Sequence, residues 1–121
     1  MTESVAGIGG VFFRARNPDG LARWYADHLG IDLAGDFSGT SFFAEAGDET
    51  VWALFRADTT YFGNRRNRLM VNYRVRNLDA MLAQLREAGV DVDDRVEELE
   101  NGRFGWATDP EGNRIELWEP R

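Results

Sequence analysis

At 121 residues the chain is long enough for one domain with a buried core, and its 43% hydrophobic and 29% charged fractions are ordinary for a globular protein. Lys and Arg number 14 against 21 Asp and Glu, a net charge of -7, which argues against a nucleic-acid or anionic-membrane partner. The absence of cysteine excludes disulfides, thiolate metal sites and a Cys nucleophile; with no leader pattern at Met1-Thr2-Glu3-Ser4 and no apolar run of ~18 residues, a cytoplasmic protein is expected.

In chain order, "GIGG" (Gly7 to Gly10) reads as a flexible entry and lacks the spacing of a dinucleotide fingerprint. Val11 to Ala15 alternate as a strand, with Val11, Phe13 and Ala15 on one side and Phe12 and Arg14 on the other. Asn17 is a helix N-cap and Pro18 suits the first helical position. Leu21, Trp24, Tyr25, His28 and Leu29 recur at helical spacing, and Gly30 stands where a C-cap belongs. Strands are expected over Ile31 to Leu33, Thr40 to Ala46 and Thr50 to Arg56. The segment Asp58 to Arg68, "DTTYFGNRRNR", has loop composition.

The pattern then repeats. "VFFRARNPD" (Val11 to Asp19) matches "VNYRVRNLD" (Val71 to Asp79), with Val, Arg, Arg, Asn and Asp identical at equivalent places. Asn77 is the second N-cap, Leu78, Met81, Leu82 and Leu85 follow at helical spacing, and Gly89 matches Gly30. Strands are expected over Val90 to Glu98, Arg103 to Thr108 and Arg114 to Trp118. The last two are joined by the turn residues Asp109-Pro110-Glu111-Gly112-Asn113. Each half reads βαβββ. The expected fold class is α+β, in one domain spanning 1–121, with unit one at about 8–57, a connector at about 58–68 and unit two at about 69–120.

Two such units in tandem, closed by "DPEGNRIEL", resemble the vicinal oxygen chelate superfamily of glyoxalase I, the bleomycin resistance proteins and the extradiol dioxygenases. The likeness runs from about Ile8 to Pro120, and "WYADHLGI" (Trp24 to Ile31) resembles that family's first helix. It implies cupped mixed sheets enclosing a ligand cavity, with metal ligands on inward strand positions in the metal-dependent members. Glu116 matches the chelating carboxylate. The other ligand positions map to Gly10, to Met70 and near Trp52. Glycine and tryptophan offer a cation no donor, and a thioether is a poor ligand for hard or borderline metals. One carboxylate does not hold a catalytic metal. The expectation is therefore no metal and no cofactor. His28, the chain's one histidine, reads as a packed or edge residue of the first helix.

Strand alternation gives an inward set: Gly10, Phe12 and Arg14; Thr50, Trp52 and Leu54; Met70, Asn72 and Arg74; and Arg114, Glu116 and Trp118, with the face of Trp106 open. The candidate ligand-binding residues are Phe12, Arg14, Trp52, Leu54, Met70, Asn72, Arg74, Trp106, Arg114, Glu116 and Trp118. Such an aromatic lining suits a planar molecule, and the same residues equally suit a core. Arg14, Arg74 and Arg114 are the plausible cationic partners of Glu116, which is the one catalytic candidate, as a general base. "NRRNR" (Asn64 to Arg68) reads as a solvated loop, or as a loop that meets an anionic ligand. "DVDDRVEELE" (Asp91 to Glu100) reads as a charged edge without calcium-loop spacing.

The function expected from this pattern is metal-free binding of an aromatic or hydrophobic small molecule, with antibiotic sequestration as the version the resemblance suggests. The alternative is a lyase, isomerase or dioxygenase using an atypical metal site or Glu116 as base. The resemblance also implies a homodimer, for which "TTYFG" (Thr59 to Gly63) offers an aromatic contact.

Overall fold

The computed structural model describes residues 2–35, 37–44 and 47–121. Among these, two helices and eight strands make an α+β fold: β1 (Gly7–Ala15), α1 (Pro18–Leu29), β2 (Gly39–Phe43), β3 (Glu49–Arg56), β4 (Leu69–Arg74), α2 (Leu78–Glu87), β5 (Asp91–Val92), β6 (Glu97–Leu99), β7 (Gly102–Thr108) and β8 (Arg114–Pro120). The chain forms two compact units. One is residues 10–69; the other combines the residues up to Gly9 with Met70–Arg121.

Both helices start as their caps dictate. The Asn17 side chain accepts from Gly20 N at 3.1 Å, and the Asn77 side chain accepts from Ala80 N at 3.0 Å. Gly30 closes α1 at φ 71, a left-handed conformation that glycine adopts without steric cost.

In the 10–69 unit, β1 runs parallel to β3 and β2 antiparallel to it. Parallel register sets Phe13 beside Leu54 and Phe12 beside Ala53, so each pair shares a face. Ala15, Ala22 and Leu54 form a small core, with Phe13, Leu21, Leu33 and Trp52 packed on it. Trp52 meets Tyr25 of α1 at 5.0 Å between ring centroids. Trp52 and Leu54 therefore lie on the helix-covered face with Phe13. They do not share the face of Phe12 and Arg14 as alternation alone suggested, because the register of β3 against β1 had to be known first.

In the C-terminal unit, β8 pairs parallel with β4 and antiparallel with β7, and β7 also pairs with β5 and β6. Leu78, Met81 and Leu82 of α2 bury against Leu117 and Val75, each large side chain contributing about 1.5–3 kcal/mol. A Cβ on Gly105 would meet Leu82 at 3.1 Å, so glycine lets the helix lie close to β7.

Two boundaries differ from expectation. Ile31 to Leu33 is not a strand, so the first half holds β1, β2 and β3 alone around its helix. The expected strand Val90 to Glu98 divides into β5 and β6, with a bend at Asp94 between them. The residues 58–68 pack as part of the 10–69 unit. Glu45 and Ala46 of the expected strand 40–46, and the side chain of Leu29, lie outside the described residues.

Candidate functional site

Asn72, Glu116 and Trp106 stand on adjacent strands: Asn72 is in register with Glu116, and Glu116 with Trp106. Ladder partners share a face, so the three side chains meet opposite the face that α2 covers. Glu116 is 1% exposed and Trp106 0%. Asn72 Nδ2 donates to Glu116 Oε1 at 2.6 Å, and Trp106 Nε1 donates to Glu116 Oε2 at 2.9 Å. These neutral donors replace water around a desolvated carboxylate. Met70 and Trp118 are also fully buried, with Trp118 stacked on Phe104 at 5.9 Å.

Two guanidinium groups lie over the Trp106 ring, Arg95 at 4.6 Å and Arg114 at 5.4 Å from its centroid. Arg114 forms a two-pronged ion pair with Asp93, at 3.0 and 2.9 Å. Arg74 donates to Ile8 O. Residues up to Gly9 belong to this cluster as well. Ala6 N donates to Arg74 O at 2.9 Å, and a Cβ on Gly9 would collide with the Asn72 and Trp118 side chains. Asn72 Oδ1, which has no hydrogen-bond partner, is the atom directed at Gly9.

Arg14 has a different role from the one expected. It is 6% exposed and donates to four backbone carbonyls of the following loop: Asn67 at 2.7 Å, Ala57 at 3.0 Å, Thr59 at 2.7 Å and Asn64 at 3.2 Å. It therefore does not partner Glu116. Its guanidinium also covers the Phe62 ring at 5.1 Å. Phe62 is 0% exposed, and Tyr61 stacks on Phe55 at 5.3 Å. The segment "TTYFG" is thus folded inward on the face of Phe12 and Phe55, and its main aromatic is not available to a second subunit.

Among the described residues of the 10–69 unit, concavities of about 600, 530 and 590 Å³ are of small-molecule size, and Arg16 lines each of these. One is apolar, walled by Leu21, Trp24 and Tyr25. Another carries Asp19, Ser38 and Arg56 at the start of α1. There Arg56 holds Asp58 at 3.0 Å and lowers its pKa through that hydrogen bond. His28 is exposed at the edge of α1, stacked on Trp24 at 4.7 Å.

The Glyoxalase-like domain matches this chain over residues 10–118. The chain belongs to the glyoxalase-like domain family. Methylmalonyl-CoA epimerase from Mycobacterium tuberculosis superposes with a TM-score of 0.69 at 23% identity, over 100% of this chain and 92% of that one. A single-residue variant of Streptomyces coelicolor methylmalonyl-CoA epimerase, in complex with 2-nitronate-propionyl-CoA, gives 0.72 at 15%, over 95% and 97%. A glyoxalase/bleomycin resistance protein/dioxygenase superfamily member from Vibrio splendidus 12B01 gives 0.60 at 11%, over 97% and 98%. No curated protein matches the chain. The family match over residues 10–118 supports membership of the vicinal oxygen chelate superfamily, and these structures share its fold.

The metal common in that superfamily does not fit the donors of this glyoxalase-like domain. Both oxygens of Glu116 already accept N–H donors, and an indole N–H has no lone pair to offer a cation. At Gly10 a Cβ would meet Val51 O at 2.7 Å, so that position has no room for a ligating side chain. Trp52 lies on the helix face. Among the described residues no three His, Cys, Asp or Glu cluster. Among the described residues no helix is long and apolar enough to cross a membrane.

The sequence offered Leu21, Trp24 and Tyr25 only as a helix stripe, and Arg16 was not among the candidate residues. Their signal was faint: a stripe with two aromatics beside an arginine at the strand-to-helix turn.

Proposed function

We propose that this glyoxalase-like protein is a small-molecule binder that holds its ligand without a divalent metal. The carrying observation is Glu116: the carboxylate that would chelate is engaged by Asn72 and Trp106. The apolar concavity beside α1 supports an aromatic or hydrophobic ligand, since Trp24 is 48% exposed and Tyr25 supplies a second ring edge at 5.1 Å. Sequestration of such a compound, an antibiotic among them, is the role this reading assigns. We further propose a homodimer. The exposed Phe42 and Phe43 of β2 support that contact in place of the buried Phe62.

The test is native mass spectrometry of freshly purified protein combined with elemental analysis. A co-purifying organic molecule without stoichiometric metal is the expected result. Stoichiometric Zn, Ni, Mn or Fe defeats the reading. A second reading draws on the burial of Glu116: a carboxylate withdrawn from water can act as a general base, as in an isomerase or lyase. Loss of a wild-type turnover in Glu116→Gln, with ligand binding retained, selects that reading.

A further inference from the structure

We propose that the concavity where β1 ends is an oxyanion site, taking the carboxylate or phosphate of a small ligand. The inference rests on the small-molecule-binding reading and names the ligand's charge. The concavity of about 590 Å³ is lined by Arg14, Arg16, Arg65 and Arg68 together with Leu21 and Ala57. No described lining residue is acidic. In a chain of net charge -7, four arginines around one hollow reverse the prevailing field locally.

The cations are available. Arg16, Arg65 and Arg68 are exposed and make no ion pair or side-chain hydrogen bond among the described residues. Asp58, the acid of the same loop, is held by Arg56 at 3.0 Å and feels Arg65 only as a lesser influence. Arg14 contributes a buried charge whose acceptors are neutral carbonyls, so no carboxylate cancels it.

The cations are also preorganised. Arg14 ties together the carbonyls of residues 57, 59, 64 and 67, and Arg14 N donates to Arg68 O at 2.9 Å. Asn67 Nδ2 donates to Phe62 O at 3.1 Å, and Arg66 N to Asn64 Oδ1 at 2.9 Å. The loop bearing Arg65 and Arg68 is thereby fixed beside Arg16, which lowers the ordering cost of binding. Guanidinium forks match carboxylate and phosphate oxygens in pairs. Arg16 and Leu21 also line the apolar concavity of Trp24 and Tyr25. The geometry suits a ring on the aromatic side with its anionic group toward Arg16, Arg65 and Arg68.

The experiment is calorimetric titration at low ionic strength with inorganic phosphate, benzoate and benzamide. The last two share a ring and differ in charge. Wild type is compared with the double variant Arg65→Gln, Arg68→Gln and with Arg23→Gln, an exposed α1 residue outside the concavity with the same type of charge loss. Circular dichroism checks that each is folded. Saturable binding of phosphate or benzoate, weakened roughly tenfold or more in the double variant and less than about twofold in Arg23→Gln, supports the site. Absence of saturable binding by either anion overturns it, as does an equal loss in Arg23→Gln. A single-stranded oligonucleotide that binds far more tightly than phosphate, with a steep salt dependence, also overturns it, because the partner is then a polyanion. Benzamide binding with neither anion bound overturns the oxyanion site and leaves the aromatic reading intact. Phosphate binding with neither aromatic bound supports the site and counts against the aromatic reading.

Discussion

Trp106 and Glu116 stand directly opposite each other on β7 and β8, and the indole N–H of one donates to the carboxylate of the other at 2.9 Å. Trp106→Phe removes that donor from a carboxylate withdrawn from water and trims the packing around it. The expected loss is about 1–3 kcal/mol in a urea or guanidinium titration. An unchanged midpoint would mean that the bond contributes nothing net.

Glu116→Gln replaces one acceptor oxygen by an N–H₂ that faces a donor, either Asn72 Nδ2 or Trp106 Nε1. A shift of about 1–3 kcal/mol toward unfolding is expected, with metal content the same in both proteins. A fall in bound metal on substitution would restore a chelating role to Glu116.

Gly9→Ala places a methyl group against the Asn72 side chain and 2.8 Å from Trp118 Cε3. Neither neighbour is the free end of an exposed chain. Overpacking is expected to cost about 1–3 kcal/mol, read as a lower melting temperature. A neutral effect would show that the segment before β1 shifts away freely.

Arg14→Met keeps a similar apolar stem and deletes the donors to four loop carbonyls. The expected loss is about 2–4 kcal/mol, with faster tryptic cleavage at Arg65, Arg66 and Arg68. Equal cleavage rates in the two proteins would show that the loop is held by Phe62 alone.

Asp109 anchors the terminal hairpin by accepting from Glu111 N and Asn113 N at 2.9 Å each. Its pKa is lowered, first by the Asn113 side chain and then by the backbone donors. A carboxylate whose folded pKa lies below its unfolded one contributes fully above the unfolded value. The contribution is lost as pH falls through the folded value. Amide signals of Glu111 and Asn113 should therefore broaden as the pH falls below the ordinary carboxylate range, and Asp109→Asn should flatten the transition. A turn unaffected by acid would show that Gly112, at φ 88, suffices to hold it.

Much of this was legible along the chain, for a local reason. Asn17 and Asn77 cap their helices because the first helical turn brings a side chain and the backbone N–H three residues on within reach of each other. The same holds for Asp109 and the hairpin it closes, and alternation alone put Glu116 opposite Ile115 and Leu117. What the chain did not reveal depends on register and on long-range closure. Which face of β3 met the helix waited on its pairing with β1, which put Trp52 and Leu54 beside Phe13. Arg14 finds its carbonyls more than forty positions away, so its role as the anchor of the loop that carries Arg65 and Arg68 had no local signal. The resemblance matches Glu116 to a chelating carboxylate, and the residues at the other ligand positions, Gly10, Met70 and Trp52, already spoke against a metal in the sequence. Only folding sets Asn72 and Trp106 against the two oxygens of Glu116 and turns it into a buried acceptor, because hydrogen bonds between strands are decided by tertiary pairing and not by neighbours in the chain.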